Sequence, residues 1–543
     1  MSGVPGQPGD RLDSWKAIAA YLNRGVRTVR RWEHDEQLPV HRHQHRVLGS
    51  VYAFKSEIDA WQRIERRHAP ASMPAAPGLK SIAVLPFADV SPDRDNEYFA
   101  DGLTSEVTAD LAKVRSLRVI SRTSSMRFKG TTDDAKTIAA QLGARYLLEG
   151  SVRRSGGRLR ITAQLVDAAA DGHLWADKYD GSVDDVFAFQ ERLARVIVAA
   201  LQLRLTTEED RRLAERPIAD LHAYECYLRA RHEAWRWRRD AIDHAIQLLH
   251  NGLDLIGDNA QLYAALGFAH LQYREAGLDF GERPLREAES CVRKIFALAP
   301  ASPAGVRLRG WIEYSRGQIK DAVRDLNAAL DVDPNSAETL GLLSNCYLIS
   351  GKVAAARPLI ARLIEVDPLT PLNRCMPGFA DLLEGRFEAA IEPYKQMFAM
   401  DAANPMARLF YVWVLVLNRR ADDVVRLVDD FPSDVRDTVP GRIAAFLVQA
   451  LKGQGEDAHA LVNTDVEAVA RTTDLFPRIL AQGYALAGLD ERAIYWLGMA
   501  IDRGFINYPF LAHHDPFFKP LRHDPRFTHL LKIVQRRWEQ FAI

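Results

Sequence analysis

The sequence predicts a multidomain protein: a small winged helix-turn-helix, a mixed α/β domain, and a long all-α solenoid of helical repeats. Three observations lead to this fold class. Residues 13–61 follow the order helix, tight turn, basic helix, β-ribbon, helix. Strand-like and helical segments alternate in the middle block, and from residue 300 small residues and prolines recur every 34 positions. The predicted boundaries are 10–68, a linker at 69–79, 80–206, and 220–543.

Composition restricts the class of protein. The 71 Lys+Arg balance 71 Asp+Glu, so net charge indicates no partner, although residues 1–68 are mildly basic. The four cysteines fit neither a disulfide framework nor a zinc spacing, so buried thiols in a reducing compartment are expected. We find no signal peptide and no apolar run long enough to span a membrane. A cytoplasmic protein with no cofactor and no membrane contact is therefore expected.

The first block contains two short predicted helices around a tight turn. The apolar face of the first helix consists of Trp15, Ile18, Ala19 and Leu22. Glycine at position 25 permits the turn, and the second helix runs from about Arg27 to Glu36 with Val29 and Trp32 inward. Its opposite side presents Arg27, Arg30, Arg31 and His34. Arginines on an exposed helix suit phosphates and guanine edges.

A predicted β-ribbon and a last helix complete this block. Alternation around Gly49-Ser50 indicates a hairpin, with His41, His43 and His45 on one strand face and Arg42, Gln44 and Arg46 on the other. Two roles for the histidines stay open: metal binding, for which no further ligand is evident, and protonation that strengthens attraction for phosphate. Ser56 is the predicted N-cap of a helix whose inner face is Ile58, Trp61 and Ile64.

Three segments of this block resemble the winged helix-turn-helix domains of MerR and excisionase type: IAAYLNRGVRTVRRWE, LPVHRH and GSVYAFKSEIDAW. The resemblance implies that the second helix enters the DNA major groove and that the ribbon flanks it. The candidate DNA-binding residues are Arg24, Arg27, Thr28, Arg30, Arg31, His34, Arg42 and Arg46. MerR-type proteins continue into a dimerising helix, but here Pro70, Pro74 and Pro77 follow, so a homodimer would need another surface. The alternative for the arginines is a solvated helix face.

The middle block alternates strands and helices. Strands are predicted at the apolar runs SIAVLPF and 117–120, and helices near 103–114 and 134–142. Two or three further strands follow, with turns at Gly156 and Gly172, and a helix at 183–205 closes the block. This order indicates a mixed α/β domain. Four segments of this block resemble the TolB-like amino-terminal domain, which accompanies repeat arrays: IAVLPFADVS, EYFADGLTSEV, LRVISRTSSMRFKG and DGHLWADKYD. Glu149, Asp167, His173 and Asp177 are conceivable as an acid/base cluster, but exposed strand charges explain them better.

The last block is periodic. Prolines at 300, 334 and 368, glycines at 317, 351 and 385, and alanines at 322, 356 and 390 share a 34-residue period. This is the period of tetratricopeptide (TPR) repeats, and the pattern resembles them strongly over 310–401. About nine extra residues precede Gly310, and Arg419 stands where glycine is expected. We count roughly eight units, with a capping helix at the end.

Stacked repeats would form a groove for a protein or peptide partner. Residues 233–240, EAWRWRRD, mix aromatic and basic side chains as nucleic-acid sites can, but a helix end where arginine packs on tryptophan explains them better.

The sequence therefore predicts a non-enzymatic transcription regulator that binds double-stranded DNA and a protein partner. The alternative is a TPR scaffold whose amino-terminal module docks a protein.

Overall fold

A computed structural model gives the fold of the chain, which forms two compact units, Met1–Gly78 and Leu79–Ile543. It describes residues 11–22, 29, 38–42, 51–55, 57–58, 79–92, 96–170, 172–279 and 281–541. Among the helices in these ranges, none is long and apolar enough to cross a membrane. Three of the four cysteines are buried and all four are free, as the sequence predicts.

The first unit contains a three-stranded antiparallel sheet. Its central strand pairs on both sides, with His41 opposite Tyr52 and Arg11 opposite Phe54, which confirms the predicted ribbon. The strand at Arg11 was not predicted, because two residues carry no readable alternation. The elements are β1 (Arg11–Leu12), α1 (Trp15–Leu22), β2 (His41–Arg42) and β3 (Val51–Phe54).

Apolar side chains from distant parts of this unit share one small core. Ile18 on α1 is buried against Val29, Leu38, Ala53 and Ile58. The inward position of Val29 and Ile58 is therefore confirmed. The predicted turn at Asn23–Gly25, the side chains of Trp32, Trp61 and Ile64, the cap at Ser56, the Gly49-Ser50 turn and the linker up to residue 78 lie outside the described residues.

The second unit opens with a mixed α/β region, as predicted. Three of its strands are long and antiparallel, with a two-residue turn at Gly156. The structure adds a short strand, Ala88–Asp89, and two short helices, Arg122–Met126 and Thr207–Leu213, that the sequence did not predict. The elements are β4 (Lys80–Val84), β5 (Ala88–Asp89), α2 (Glu97–Ala112), β6 (Leu117–Val119), α3 (Arg122–Met126), α4 (Ala135–Leu142), β7 (Tyr146–Ser155), β8 (Arg158–Asp167), β9 (Gly172–Ser182), α5 (Val186–Ala200) and α6 (Thr207–Leu213).

The strand order in this sheet is β6-β4-β7-β8-β9, and β5 pairs with β7. β4 is parallel to both β6 and β7, whereas β7, β8 and β9 are antiparallel. The parallel strands are buried on both faces, which explains the continuous apolar run after Lys80. Helix α2 packs on one face with Phe99, Leu103 and Val107 buried in the same core as the strands.

The remainder of the second unit is all-helical, and its described residues contain eight helix pairs, here called repeats 1 to 8. They are α7 (Leu221–Ala234) with α8 (Arg239–Ile256), α9 (Ala260–Glu275) with α10 (Glu282–Leu298), α11 (Pro303–Ser315) with α12 (Ile319–Val332), α13 (Ala337–Ile349) with α14 (Val353–Val366), α15 (Pro371–Leu383) with α16 (Phe387–Met400), α17 (Pro405–Leu417) with α18 (Ala421–Asp429), α20 (Val439–Leu451) with α21 (Gly455–Ala460), and α23 (Leu475–Leu486) with α24 (Asp490–Asp502). Helices α19 (Ser433–Arg436) and α22 (Thr464–Ala470) lie between pairs, and α25 (Pro525–Glu539) follows them, which confirms the predicted terminal helix.

The 34-residue period has a direct structural cause. Gly317, Gly351 and Gly385 follow the first helix of successive repeats with φ of 76°, 73° and 77°, a conformation that glycine adopts without steric cost. Arg419 occupies the same position in repeat 6 with φ 57°, so the turn is kept where glycine is missing. The alanines of the period, such as Ala356, are fully buried where the second helix meets the first.

The nine extra residues of the second repeat are spread over both of its helices. Its helices have 16 and 17 residues, against 13 and 14 in the third repeat. The remaining residues lengthen the connection between α9 and α10. Repeat 2 therefore keeps the helix-pair fold while its paired helices extend further than those of its neighbours.

A segment after repeat 8 crosses the intra-repeat turns of repeats 3 to 6; we call residues 503–518 the strap. Ile506 donates its backbone N–H to the carbonyl of Ile349 at 3.0 Å, and the Asn507 amide donates to the carbonyl of Leu348 at 2.9 Å. Both carbonyls lie at the end of α13, where intrahelical donors run out, and the Leu348 carbonyl also accepts from the backbone N–H of Gly351 at 3.1 Å. At the next turns His514 lies against Gly385 and Phe517 beneath Arg419.

The contribution of the strap contact to stability can be distinguished from that of backbone strain by substituting two glycines that have the same φ. A Cβ at Gly351 would lie 2.9 Å from Asn507 Oδ1 and 3.0 Å from Trp538 Nε1, whereas a Cβ at Gly453 meets nothing within 4 Å. Both glycines have φ of 73°. We expect Gly453→Ala to cost about 1 kcal/mol, because alanine is strained in this conformation. Gly351→Ala should cost about 1–3 kcal/mol more, because it also displaces the strap.

The measurement is urea unfolding of the full chain followed by tryptophan fluorescence. Equal losses of unfolding free energy in the two variants would show that the strap contributes nothing at this turn.

Candidate functional site

The predicted DNA-binding residues lie in the first unit. Arg42 belongs to β2, opposite Val51 of β3. The other seven, Arg24, Arg27, Thr28, Arg30, Arg31, His34 and Arg46, lie outside the described residues. Their role in DNA binding therefore stays a prediction, while the sheet and core on which the predicted recognition helix would rest are in place.

Histidine 41 has a partner that the sequence analysis did not identify. Its Nε2 lies 2.6 Å from Glu57 Oε2, and its ring stacks on Tyr52 with centroids 5.1 Å apart. The carboxylate comes from sixteen residues away along the chain, so spacing within the HRHQHR run could not indicate it. His43 and His45 lie outside the described residues, and the described part of the chain holds no group of three metal ligands.

The four polar residues considered as an acid/base cluster have separate surroundings. Arg145 pairs with Asp167 at 2.7 Å and lowers the pKa of that carboxyl. Glu149 accepts from the Gln164 amide at 2.9 Å, and Asp177 pairs with Arg192 at 2.9 Å. Asp167 is buried, so its description as an exposed strand charge was wrong, because the turn after β8 covers it. His173 is exposed near the start of β9.

The mixed sheet region docks on the first repeat through a partly buried ionic cluster, in which Asp101 is buried and the other groups are half-buried. Helix α2 contributes Glu106, which receives a hydrogen bond from Arg231 of α7, and Asp101, whose Oδ2 lies 3.2 Å from the ring of His232. Burial raises the pKa of the Glu106 carboxyl despite the nearby guanidinium. Gly102 is required here, since a Cβ would lie 2.9 Å from two atoms of Leu228.

Tryptophan 235 belongs to the same junction. The guanidinium of Arg122, from the sheet region, lies 5.8 Å from its ring centroid, and burial lowers the pKa of Arg122 to about 10. Within EAWRWRRD the arginines pair locally, Arg236 with Glu233 at 3.0 Å and Arg238 with Asp240 at 2.7 Å. An arginine does pack on this tryptophan, as predicted, but it comes from another domain.

A second docking contact joins helix α3 to the end of repeat 4. The buried Asp367 carboxylate accepts from Ser121 Oγ at 2.5 Å, from Ser124 Oγ at 2.6 Å and from the Asn373 amide at 2.7 Å. Ser121 also donates its backbone N–H to the carbonyl of Val366 at 2.7 Å. The serines lie in the sequence segment SRTSSM. Its polar composition is the only feature that could have drawn attention to it, and nothing in the segment indicates a partner more than 240 residues away.

The first helices of repeats 5 and 6 face the chain's own helix α23. Trp413 donates its indole N–H to Gln482 Oε1 at 2.7 Å, and the Gln482 amide donates to Asp515 of the strap at 2.6 Å. Burial raises the pKa of the Asp515 carboxyl to about 6. Arg478 is almost completely buried, with its guanidinium 5.0 Å from the ring of Phe379. Helix α23 and the strap thus cover the first helices of repeats 5 and 6, so this part of the repeat surface is not free for a partner peptide.

The comparisons with known proteins agree with this architecture. Residues 78–196 match the model of the second domain of HilA/YgeH-like transcriptional regulators, and residues 313–372 match a tetratricopeptide repeat model. The chain therefore contains a regulator-type domain followed by TPR repeats, and the first match covers most of the region whose segments resemble the TolB-like domain. Transcription regulation and protein partners are the functions that these two domain types indicate.

One curated relative and two solved structures illustrate the similarity. A protein of Rhizobium meliloti (strain 1021) named putative adenylate cyclase 3 is 39% identical over 219 residues, which cover 39% of this chain and 37% of that protein. A thermophilic TPR protein of Thermus thermophilus is 18% identical, with a TM-score of 0.29 over 35% of this chain and 97% of its own. The APC/C hetero-tetramer Cut9-Hcn1 is 14% identical, with a TM-score of 0.34 over 66% of this chain and 75% of its own.

The docking contact at Asp367 can be tested against an equivalent residue. Asp401 follows the second helix of the next repeat and accepts from Asn404 of its own turn at 3.0 Å. Asp367→Ala should destabilise the second unit by about 2–3 kcal/mol, because it leaves buried hydroxyl groups without their charged acceptor. Asp401→Ala should cost less than about 1 kcal/mol, because only one half-buried side-chain hydrogen bond within a turn is lost.

Thermal unfolding gives the stability, and limited proteolysis reports on the contact itself. We expect the segment 121–130 to become cleavable in the Asp367 variant alone. Identical cleavage of the two variants would exclude a docking role for this carboxylate.

Proposed function

We propose that the protein is a DNA-binding transcription regulator in which residues 10–68 read an operator and the TPR repeats receive a protein partner. The match of residues 78–196 to a HilA/YgeH-like regulator domain is the observation that carries this proposal. The basic second helix of a MerR-like winged helix-turn-helix supplies the DNA contacts, through Arg24, Arg27, Thr28, Arg30, Arg31, His34, Arg42 and Arg46. Guanidinium groups at these positions suit both phosphates and guanine edges.

The region 80–206 and the repeats 220–543 would work as one receiver of signals. The buried contacts of Glu106 and Asp367 support this proposal, because they join the two regions into one packed body. We propose further that the protein acts as a homodimer in the cytoplasm. One small module contacts few base pairs, and two half-sites raise affinity and specificity together.

The test of DNA binding is selection from pooled random duplexes with the full chain, followed by sequencing. We expect an enriched motif with two-fold symmetry. In the Arg27→Ala/Arg31→Ala variant, affinity for that motif should fall at least about tenfold, and the slope of log K against log salt should lose about 2, one for each phosphate contact.

The matched control is Arg211→Ala/Arg426→Ala, which removes two positive charges from exposed helix surfaces of the second unit. The side chains of Arg211 and Arg426 are 61% and 77% exposed and pair with carboxylates close by in sequence. This control should bind the motif like the unaltered chain. No enriched motif, together with a salt slope near zero, would contradict the regulator and favour the alternative, a TPR scaffold whose amino-terminal module docks a protein.

The name of the Rhizobium meliloti relative favours a second candidate, a nucleotide cyclase. This chain spans little more than a third of that relative's length, so its activity does not carry over directly. We propose that the chain is not an enzyme, because the match to a regulator domain and the repeats account for the second unit.

The cyclase candidate has its own assay. Full-length protein incubated with ATP and Mg²⁺ or Mn²⁺ should produce no cyclic AMP above the level of a heat-inactivated sample. Formation of cyclic AMP in proportion to protein concentration would overturn the non-enzymatic proposal and leave the DNA selection to be judged separately.

A further inference from the structure

A cavity of about 600 Å³ opens between α8, α9 and α10, the helices of the first two repeats. This volume lies in the range of ligand-binding pockets. The floor is apolar and aromatic, formed by the buried side chains of Tyr263, Leu266 and Tyr273, with Ile246 and Leu253 along one side. The two helices of the lengthened repeat 2 thus form most of the lining. This cavity is separate from the face that helix α23 and the strap cover.

Four carboxylates surround this floor: Asp243, Asp254, Asp258 and Glu287. Asp243 accepts a hydrogen bond from the Tyr273 hydroxyl, and Asp258 accepts one from the Tyr263 hydroxyl. Within the described ranges of the chain, no lysine, arginine or histidine nitrogen lies within the 4.0 Å ion-pair limit of any of the four. In repeats 4 and 5, by contrast, the carboxylates of Asp381 and Glu384 both pair with Arg357.

The two basic groups of the lining already lie over its tyrosines. The Arg283 guanidinium is 5.8 Å from the Tyr273 ring centroid, and Lys294 Nζ is 4.5 Å from that of Tyr263. Arg283 pairs with Asp279 outside the cavity at 3.3 Å, and Lys294 donates to the Tyr263 hydroxyl at 3.1 Å. His270 lies on the floor, where burial lowers its pKa to about 4, so its ring is neutral at pH 7. With His250 counted as neutral, the lining carries two more negative than positive charges.

We propose that this cavity holds a lysine or arginine side chain of a peptide segment in the partner protein. The long apolar stem of such a side chain would lie along Ile246, Leu253 and Leu266, and its charged head would be directed toward Asp254 and Glu287. A charge-assisted hydrogen bond to a carboxylate is roughly twice as strong as a neutral one, so these acids select for a cation. The proposal deepens the proposed function, because it states where the repeats bind a partner and what that partner presents.

The experiment is selection of a random peptide display library on the full-length protein, followed by affinity measurement of the enriched peptides by fluorescence anisotropy. We expect enrichment of lysine or arginine at one fixed position. Asp254→Asn/Glu287→Gln should weaken the selected peptides by roughly 10-fold to 100-fold, the range for loss of hydrogen bonds to a charged group. The size and shape of both side chains are preserved in this variant, so the helices should keep their packing.

The matched control is Asp422→Asn/Asp434→Asn, which makes the same change of net charge on two exposed side chains of later helices. Peptide affinity should be unchanged in this control. Enrichment without a basic position, or equal affinity for the cavity variant and the control, would overturn the proposal. The cavity variant should still bind its selected duplex DNA at full affinity, so failure of the peptide test and failure of the regulator proposal give different results.

Discussion

The packing of the TPR region depends on a buried cation, the guanidinium of Arg478. Its centre lies 4.6–5.2 Å from the ring centroids of Phe379, Trp413 and Phe505, which belong to repeat 5, repeat 6 and the strap. Removing a charge from water costs several kcal/mol unless partners replace the solvent. Here three aromatic faces supply part of that replacement, and the carboxylates of Asp474 and Asp515 supply electrostatic attraction. Loss of one of these groups would leave the buried guanidinium less compensated and would weaken the packing of helix α23 on the earlier repeats.

The consequence is that repeats far apart along the chain are held together. Asp474 accepts from Tyr314 of repeat 3 at 3.2 Å, and the strap caps the carbonyls at the end of α13. In an open array each repeat contacts only its neighbours, and stability is the sum of local terms. In this chain, long-range contacts add to those local terms, so unfolding of the repeats should be more cooperative than in an open array. The same arrangement covers the surface of repeats 5 and 6 that faces helix α23.

The function that fits this architecture divides binding between distinct surfaces. Operator recognition would reside in the small amino-terminal module, whose described core is a single cluster around Ile18 and Val29. Partner recognition would reside in repeats 1 and 2, which the strap leaves uncovered and which carry the acidic cavity. The first of these repeats receives helix α2 of the sheet region through Glu106 and Arg231. A partner bound in the cavity would thus contact helices that are already joined to the regulator-type domain, and this gives a physical route for a signal.

The sequence by itself determined the elements whose causes are local. Glycine at the turn after most first helices, small alanines between paired helices and prolines after the second helices of repeats 2 to 4 act within a few residues of their position, so the repeats could be counted correctly. The β7–β8 and β8–β9 hairpins and the ribbon beside His41 followed from alternation and turn residues in the same way. Only the tertiary structure decided that helix α23 and the strap cover the first helices of repeats 5 and 6, that Ser121 and Ser124 bind Asp367, and that His41 meets Glu57. Each of these contacts depends on how small rotations between successive helices accumulate over many repeats, or on how strands fold back, and no pattern within a short window of residues records that sum.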